Sequence, residues 1–227
     1  MPHNNGEITR RDFLRFSFAG PALIAAGNFI SAARHVLAQG AASSGRPKKR
    51  IKGEHDLACA KGGDPYAMTV KAKFRYASPM DGWPILRDAI ECDTFINIPV
   101  LKHHGLTKLT LSMKNLMGVC AGNRGMIHQG IARKIVDLTD FINPDLTVID
   151  AFRFLYRNGP TGGNLADVKR LGSLIVATDP TLADAYAARL AGIDPLSVDN
   201  IKVAVQRKFW SADIDEADIV VLASRLT

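Results

Sequence analysis

Between Leu101 and Asn115 the chain reads LKHHGLTKLTLSMKN, straight after the apolar run TFINIPV. Lysines draw phosphate or carboxylate, and an imidazole titrates near neutrality. Lys102 and Lys114 can therefore hold an anion while His104 transfers a proton. Three more stretches add polar groups at the ends of predicted elements. Asp150 closes PDLTVIDA and is followed by RFLYRNGPTGGN with Asn158; Thr178 and Asp179 close LGSLIVATD; GNRGMIHQG supplies Asn123, Arg124 and His128. The catalytic candidates are His104, Lys114 and Asp150. The ligand-binding candidates are Lys102, Thr107, Asn115, His128, Asn158 and Asp179. Each also has a structural reading. Asp179 before Pro180 suits a helix N-cap, Asp150 suits a cap, His103 suits a solvent-facing position, and the lysines suit an exposed corner.

Metal and cofactor chemistry find less support. His103, His104, His128 and Asp150 are donors that suit Zn, Fe or Ni, but neighbouring histidines diverge on a strand or helix. No H-x-x-x-H or H-E-x-x-H occurs, so no metal site is assigned. The three cysteines, Cys59, Cys92 and Cys120, contain no C-x-x-C pair and offer no ligand set for a zinc ribbon or a self-contained iron–sulfur cluster. Cys92 and Cys120 lie among apolar neighbours and read as core residues; Cys59 reads as free. GPTGGN has neither the lysine of a phosphate loop nor the strand–turn–helix frame of a dinucleotide fingerprint. The cofactor, if one exists, is not legible.

Positioning such groups requires a scaffold, and the hydrophobic pattern supplies one. WPILRDAIEC predicts a helix, TFINIPV a strand closed by Pro99, and residues 105–120 a helix. At about 100° per residue that helix puts Leu106, Leu109, Met113 and Leu116 on one face. Thr107 and Lys114 then share the opposite stripe, with Asn115 beside them. IARKIVDLTDFI, PTLADAYAARLAG and SVDNIKVAVQ predict further helices; PDLTVIDA, LGSLIVATD and ADIVVLAS predict strands. Apolar strands without alternation, separated by helices, imply an α/β fold: a mostly parallel sheet with helices on both faces. Ligands of such sheets bind beyond the carboxyl ends of strands.

The chain divides into three parts. Residues 1–38 carry TRRDFLR, with paired Arg10 and Arg11, then a broken apolar stretch, and VLA ending at Ala38. This resembles a twin-arginine signal peptide with cleavage after Ala38, and implies use of the twin-arginine translocase and a periplasmic or otherwise exported location. Residues 39–78 read as a polar, basic tether with one edge strand in YAMTVKAKFRYA, and residues 79–227 as the α/β domain. Of the net charge of +7, residues 1–38 carry +2, residues 39–75 carry +6 and the remainder carries −1. A nearly neutral domain lacks the concentrated basic face that nucleic-acid binding needs.

DTFINIPVLKHHGLTKLTLSMKNLMGV, GNRGMIHQGI, PDLTVIDAFRFLYRNGPTGGN and VATDPTLADAYAARLAG together resemble the bacterial and archaeal proteins called domain of unknown function 362, over about residues 83–205. The family's K-x-H, K-N, N-G-P and T-D-P-x-x-x-D elements fall on Lys102 and His104, Lys114 and Asn115, Asn158 to Pro160, and Thr178, Asp179, Pro180 and Asp184. The resemblance implies a twin-arginine-exported protein in a redox setting, with a ferredoxin-type iron–sulfur partner. It also implies an earlier α/β segment that is absent ahead of the matching region, so the sheet is expected to be incomplete at one edge. Three readings follow: an enzyme or enzyme component binding an anionic small molecule, a non-catalytic binding or redox-accessory protein, or a shortened inactive relative. Whether the chain is an enzyme stays open at this level.

Overall fold

The computed structural model describes residues 68–208, 212, 214 and 220–223. Arg10, Arg11, the cleavage position after Ala38, Cys59 and most of the tether lie outside the described residues. β1 (Thr69–Lys71) and β2 (Pro84–Leu86) form a separate antiparallel ribbon. The main sheet contains β3 (Ile96–Asn97), β4 (Val100–His104), β5 (Lys108–Thr110), β6 (Leu146–Leu155), β7 (Val168–Ala177) and β8 (Val220–Ala223). Its order is β5-β4-β6-β7-β8, with β3 also beside β6. The helices are α1 (Arg87–Glu91), α2 (Ser112–Asn115), α3 (Ile131–Ile142), α4 (Pro180–Leu190) and α5 (Asp199–Gln206).

The α/β expectation holds. β3, β4, β6 and β8 run in one direction, and β5 and β7 oppose them. Parallel bonding joins β3 and β4 to β6, while the other neighbours pair antiparallel, which makes the sheet mixed. The antiparallel pairs need no crossover helix: no α-helix intervenes between β4 and β5 or between β6 and β7, where the connection holds only a 3-10 turn at Leu165–Asp167. Ile149, Ala151, Ile175 and Ala177 join one core with Met113 of α2 and with Ala183 and Ala187 of α4. Val148 and Val176 alternate to the other face and are buried as well. The alanines of α4 bring its backbone close to the sheet. α3 buries Ile131, Ile135, Leu138 and Ile142 at helical spacing, between a left-handed Gly130 and a left-handed Asn143 whose N–H returns to Thr139.

Four local predictions need correction. Residues 84–86 are strand, and only Arg87–Glu91 are helix, because Ile85 bonds into the ribbon with β1. Residues 105–120 are not one helix: they form the turn and second strand of a hairpin, then the single turn α2, then a 3-10 turn at Leu116–Val119. Leu109 and Leu111 are both buried, each worth about 1.5–3 kcal/mol. Two residues apart they would diverge by about 200° on a helix, whereas on an extended chain they share a face. Leu106, which the helical pattern placed inward, is 56% exposed. β6 runs past Asp150 to Leu155, so Asp150 lies in mid-strand rather than at a strand end. Cys120 is buried as expected, but Cys92, at the end of α1, is exposed.

Residues read as the end of the tether pack onto the domain. Ala72 and Phe74 enter the core, Phe74 lies 4.9 Å from Phe141 of α3 between ring centroids, and the Ser78 hydroxyl donates to Asp137 at 2.6 Å. No described helix is long and apolar enough to cross a membrane.

Candidate functional site

The β4–β5 hairpin carries the centre of the site. Lys102 pairs with Thr110 and His104 with Lys108, so Lys102, His104 and Thr110 project from one face of the ribbon. The turn then fixes the imidazole. The backbone N–H groups of Leu106 and Thr107 donate to His104 Nδ1 at 3.2 and 3.3 Å. With Nδ1 accepting, the neutral ring carries its proton on Nε2 and offers a donor there. Thr107 is buried and its hydroxyl donates to the Leu109 carbonyl at 2.9 Å, so Thr107 shapes the turn and has no free hydroxyl for a ligand.

The pKa of His104 is lowered to about 4, by burial first and then by the neighbouring Lys114, His128, His103 and Lys102 in that order. His128 stacks on His104 with centroids 6.2 Å apart and planes 17° apart. It arrives on the 3-10 turn Arg124–His128, which Asn123 caps by accepting from Gly125 N at 3.2 Å. Lys134 of α3 ties that turn down through the Met126 carbonyl at 2.7 Å. The pKa of Lys114 is lowered by burial first and by Lys102 second. Among the described residues, no ion pair joins Lys102 or Lys114 to a carboxylate.

α2 presents Lys114 because five hydrogen bonds hold it. Asp184 of α4 accepts from Ser112 N at 2.7 Å and Met113 N at 3.1 Å, and the Ser112 hydroxyl donates to the Pro180 carbonyl at 2.9 Å. Asn97 Nδ2 donates to the Ser112 carbonyl, and Asn115 Nδ2 donates to Asn97 Oδ1, both at 2.8 Å. The N-terminal N–H groups of α2 are thus occupied by the chain's own carboxylate, not left for a ligand. Burial pushes Asp184 up to about 7, against the hydrogen bonds from Ser112 and Met113.

The loop after β6 reaches the same strand end. Gly159 N donates to His103 Nδ1 at 3.1 Å, and a Cβ on Gly159 would lie 2.1 Å from the His103 carbonyl oxygen, so only glycine fits. His103 is therefore a loop anchor, half-buried rather than solvent-facing. Asn158 takes a left-handed φ of 56° and its Nδ2 donates to Asp167 Oδ2 at 2.8 Å, which places it in the loop's own scaffold.

Lys102, His104, Lys114 and His128 are therefore brought together, with Asn115 next in chain to Lys114. Asp150 is not among the charges acting on His104 or Lys114; its Oδ1 accepts from Phe152 N at 2.9 Å within β6. Asp179 is the N-cap of α4, accepting from Thr181 N at 2.7 Å and Leu182 N at 3.0 Å, and burial raises its pKa to about 6. Thr110 and Asn97 escaped the sequence reading. Alternation through Thr107, Leu109 and Leu111 was the available signal for the strand that turns Thr110 toward Lys102. Among the described residues, no group of three or more His, Cys, Asp or Glu side chains is placed to hold a metal ion.

The family model described as domain of unknown function (DUF362) matches residues 51–189. A protein of Synechocystis sp. named as thylakoid-associated is 28% identical over 135 residues, covering 55% of this chain and 41% of that relative. The chain thus spans about two fifths of that relative's length. No solved structure matches the chain. The matched span takes in the ribbon, both strands of the hairpin, α2, and the loop and helix that hold them. With more than half of its length inside that match, the chain belongs to the domain of unknown function 362 family.

Proposed function

We propose that this chain is an exported protein that binds an anionic small molecule, of the phosphate or carboxylate class, at the cluster of Lys102, His104, Lys114 and His128, as an enzyme or enzyme component. The observation that carries this reading is a half-buried lysine and a buried imidazole gathered beside a second lysine, with no carboxylate among the described residues paired to either lysine. Like charges held together out of water repel and lose solvation; an anion between them removes both costs. In turnover, His104 Nε2–H would donate a hydrogen bond to the bound group, and the lysines would neutralise its charge.

A second reading, binding without turnover as a periplasmic or redox-accessory protein with a ferredoxin-type partner, draws on the same geometry. The cluster is rich in donors and holds no carboxylate base, since Asp150 lies within β6 and Asp179 caps α4. Export rests on the twin-arginine motif at Arg10 and Arg11. Single substitutions of Lys102, His104 and Lys114 by Ala test the anion site. Titration with phosphate, sulfate and acetate should move the NMR signals of His104 and Lys114 in the parent chain. Each variant should bind roughly tenfold or more weakly, with the melting temperature preserved in Lys102→Ala and Lys114→Ala; His104→Ala also removes the acceptor of the Leu106 and Thr107 N–H groups and should melt lower. Unmoved His104 and Lys114 signals would make the cluster an ordinary polar surface.

A further inference from the structure

We infer that the anion is a dianion of the phosphate class and that the hydroxyl of Thr110 is one of its ligands. This rests on the anion-site reading above and narrows it. Thr110 is only 9% exposed, and its Oγ1 is buried with no hydrogen-bond partner. Buried hydroxyls are almost always bonded, because stripping one of water without replacement costs free energy. Among the described residues, the other such hydroxyl is on Thr147, a residue that pairs in register with Asn97. Thr110 instead pairs with Lys102, which places the two side chains next to one another on the face that carries His104. An orphan donor beside a lysine, an imidazole N–H and a second lysine is a cradle for oxygen atoms.

Charge and shape select among anions. Two lysines with no acid paired to them among the described residues leave a monoanion short by one charge, whereas a dianion balances them. The donors come from both strands of the hairpin and from α2. A planar carboxylate has two oxygens in one plane, while a tetrahedral oxyanion offers oxygens in several directions and can meet all of these donors together.

Calorimetric titration of the full chain at pH 8 with inorganic phosphate, sulfate and acetate tests this, using the parent chain, Thr110→Val, Thr110→Ser and Lys114→Ala. Phosphate and sulfate should bind at least tenfold more tightly than acetate. Thr110→Val should reduce that preference about tenfold and Thr110→Ser should retain it. The melting temperature of Thr110→Val should match or exceed the parent's, since it removes an unsatisfied hydroxyl. Acetate binding as tightly as phosphate, with Lys114→Ala weakening both, would keep the anion site and overturn the dianion. Unchanged phosphate binding in Thr110→Val would remove Thr110 from the site. Absence of binding by all three anions would overturn this inference together with the reading beneath it.

Discussion

His104 is the residue on which the site's electrostatics are most plainly written. Its neutral form is favoured by burial and by the lysines and histidines around it, which lower its pKa to about 4. The native state therefore holds the ring unprotonated, while the unfolded chain takes up a proton near the ordinary value of about 6.5. The stability tied to this difference is complete above about pH 6.5 and is lost as the pH falls toward 4. A bound dianion would reverse the local field and favour the imidazolium. Followed by NMR, the His104 midpoint should rise by about one unit or more in saturating sulfate. A midpoint that stays at its anion-free value would mean that sulfate binds elsewhere.

At the scale of elements, the question is what keeps α2 in place. With four residues it is too short to be stable by itself. Asp184, Asn97 and the Ser112 hydroxyl bond define its position, and Lys114 rides on it. Asp184→Asn replaces one accepting oxygen by an amide nitrogen that cannot accept, leaving Ser112 N or Met113 N buried without a partner. Chemical denaturation should show a loss of about 1–3 kcal/mol, and anion binding should weaken because Lys114 shifts while Lys102 stays. A variant as stable as the parent would show that α2 is held mainly by the packing of Met113 and Leu116. The same element explains two family motifs at once: T-D-P-x-x-x-D supplies the caps of α4 and α2, and K-N supplies the lysine and an anchor.

For the molecule as a whole, polar contacts tie the start of the described chain to its later helices. Buried Asp137 of α3 takes hydrogen bonds from Ser78 and from Arg207, which follows α5, and Arg75 reaches Asp140 at 2.8 Å. The domain is closed by these contacts, and the basic charge lies mainly ahead of it. On the export proposed above, such a folded domain suits a translocase that exports folded proteins. A reporter fused to residues 1–45 should reach the periplasm, and replacing Arg10 and Arg11 with Lys should keep it in the cytoplasm. Normal export of the doubly substituted fusion would exclude the twin-arginine route.

Several features of this protein were decided within single stretches of sequence. Ile131, Ile135, Leu138 and Ile142 can share a face only on a helix, and Asp179–Pro180 starts one while Gly192 stops it; α3 and α4 lie where those patterns put them. The cationic character of Lys102, His104 and Lys114 was equally local. What could not be read locally was the conformation joining them. Residues 105–120 satisfy a helical pattern, and the decision for a hairpin came from β4 as pairing partner and from a core that takes both Leu109 and Leu111. That one switch turned Thr107 into a turn residue and exposed Thr110 to Lys102. Asp150 likewise lost its strand-end position when β6 found β7 to pair with beyond it. Side-chain periodicity reports a residue's own preferences, but burial and pairing depend on partners as distant as Asp184, and only the folded chain brings those partners into contact.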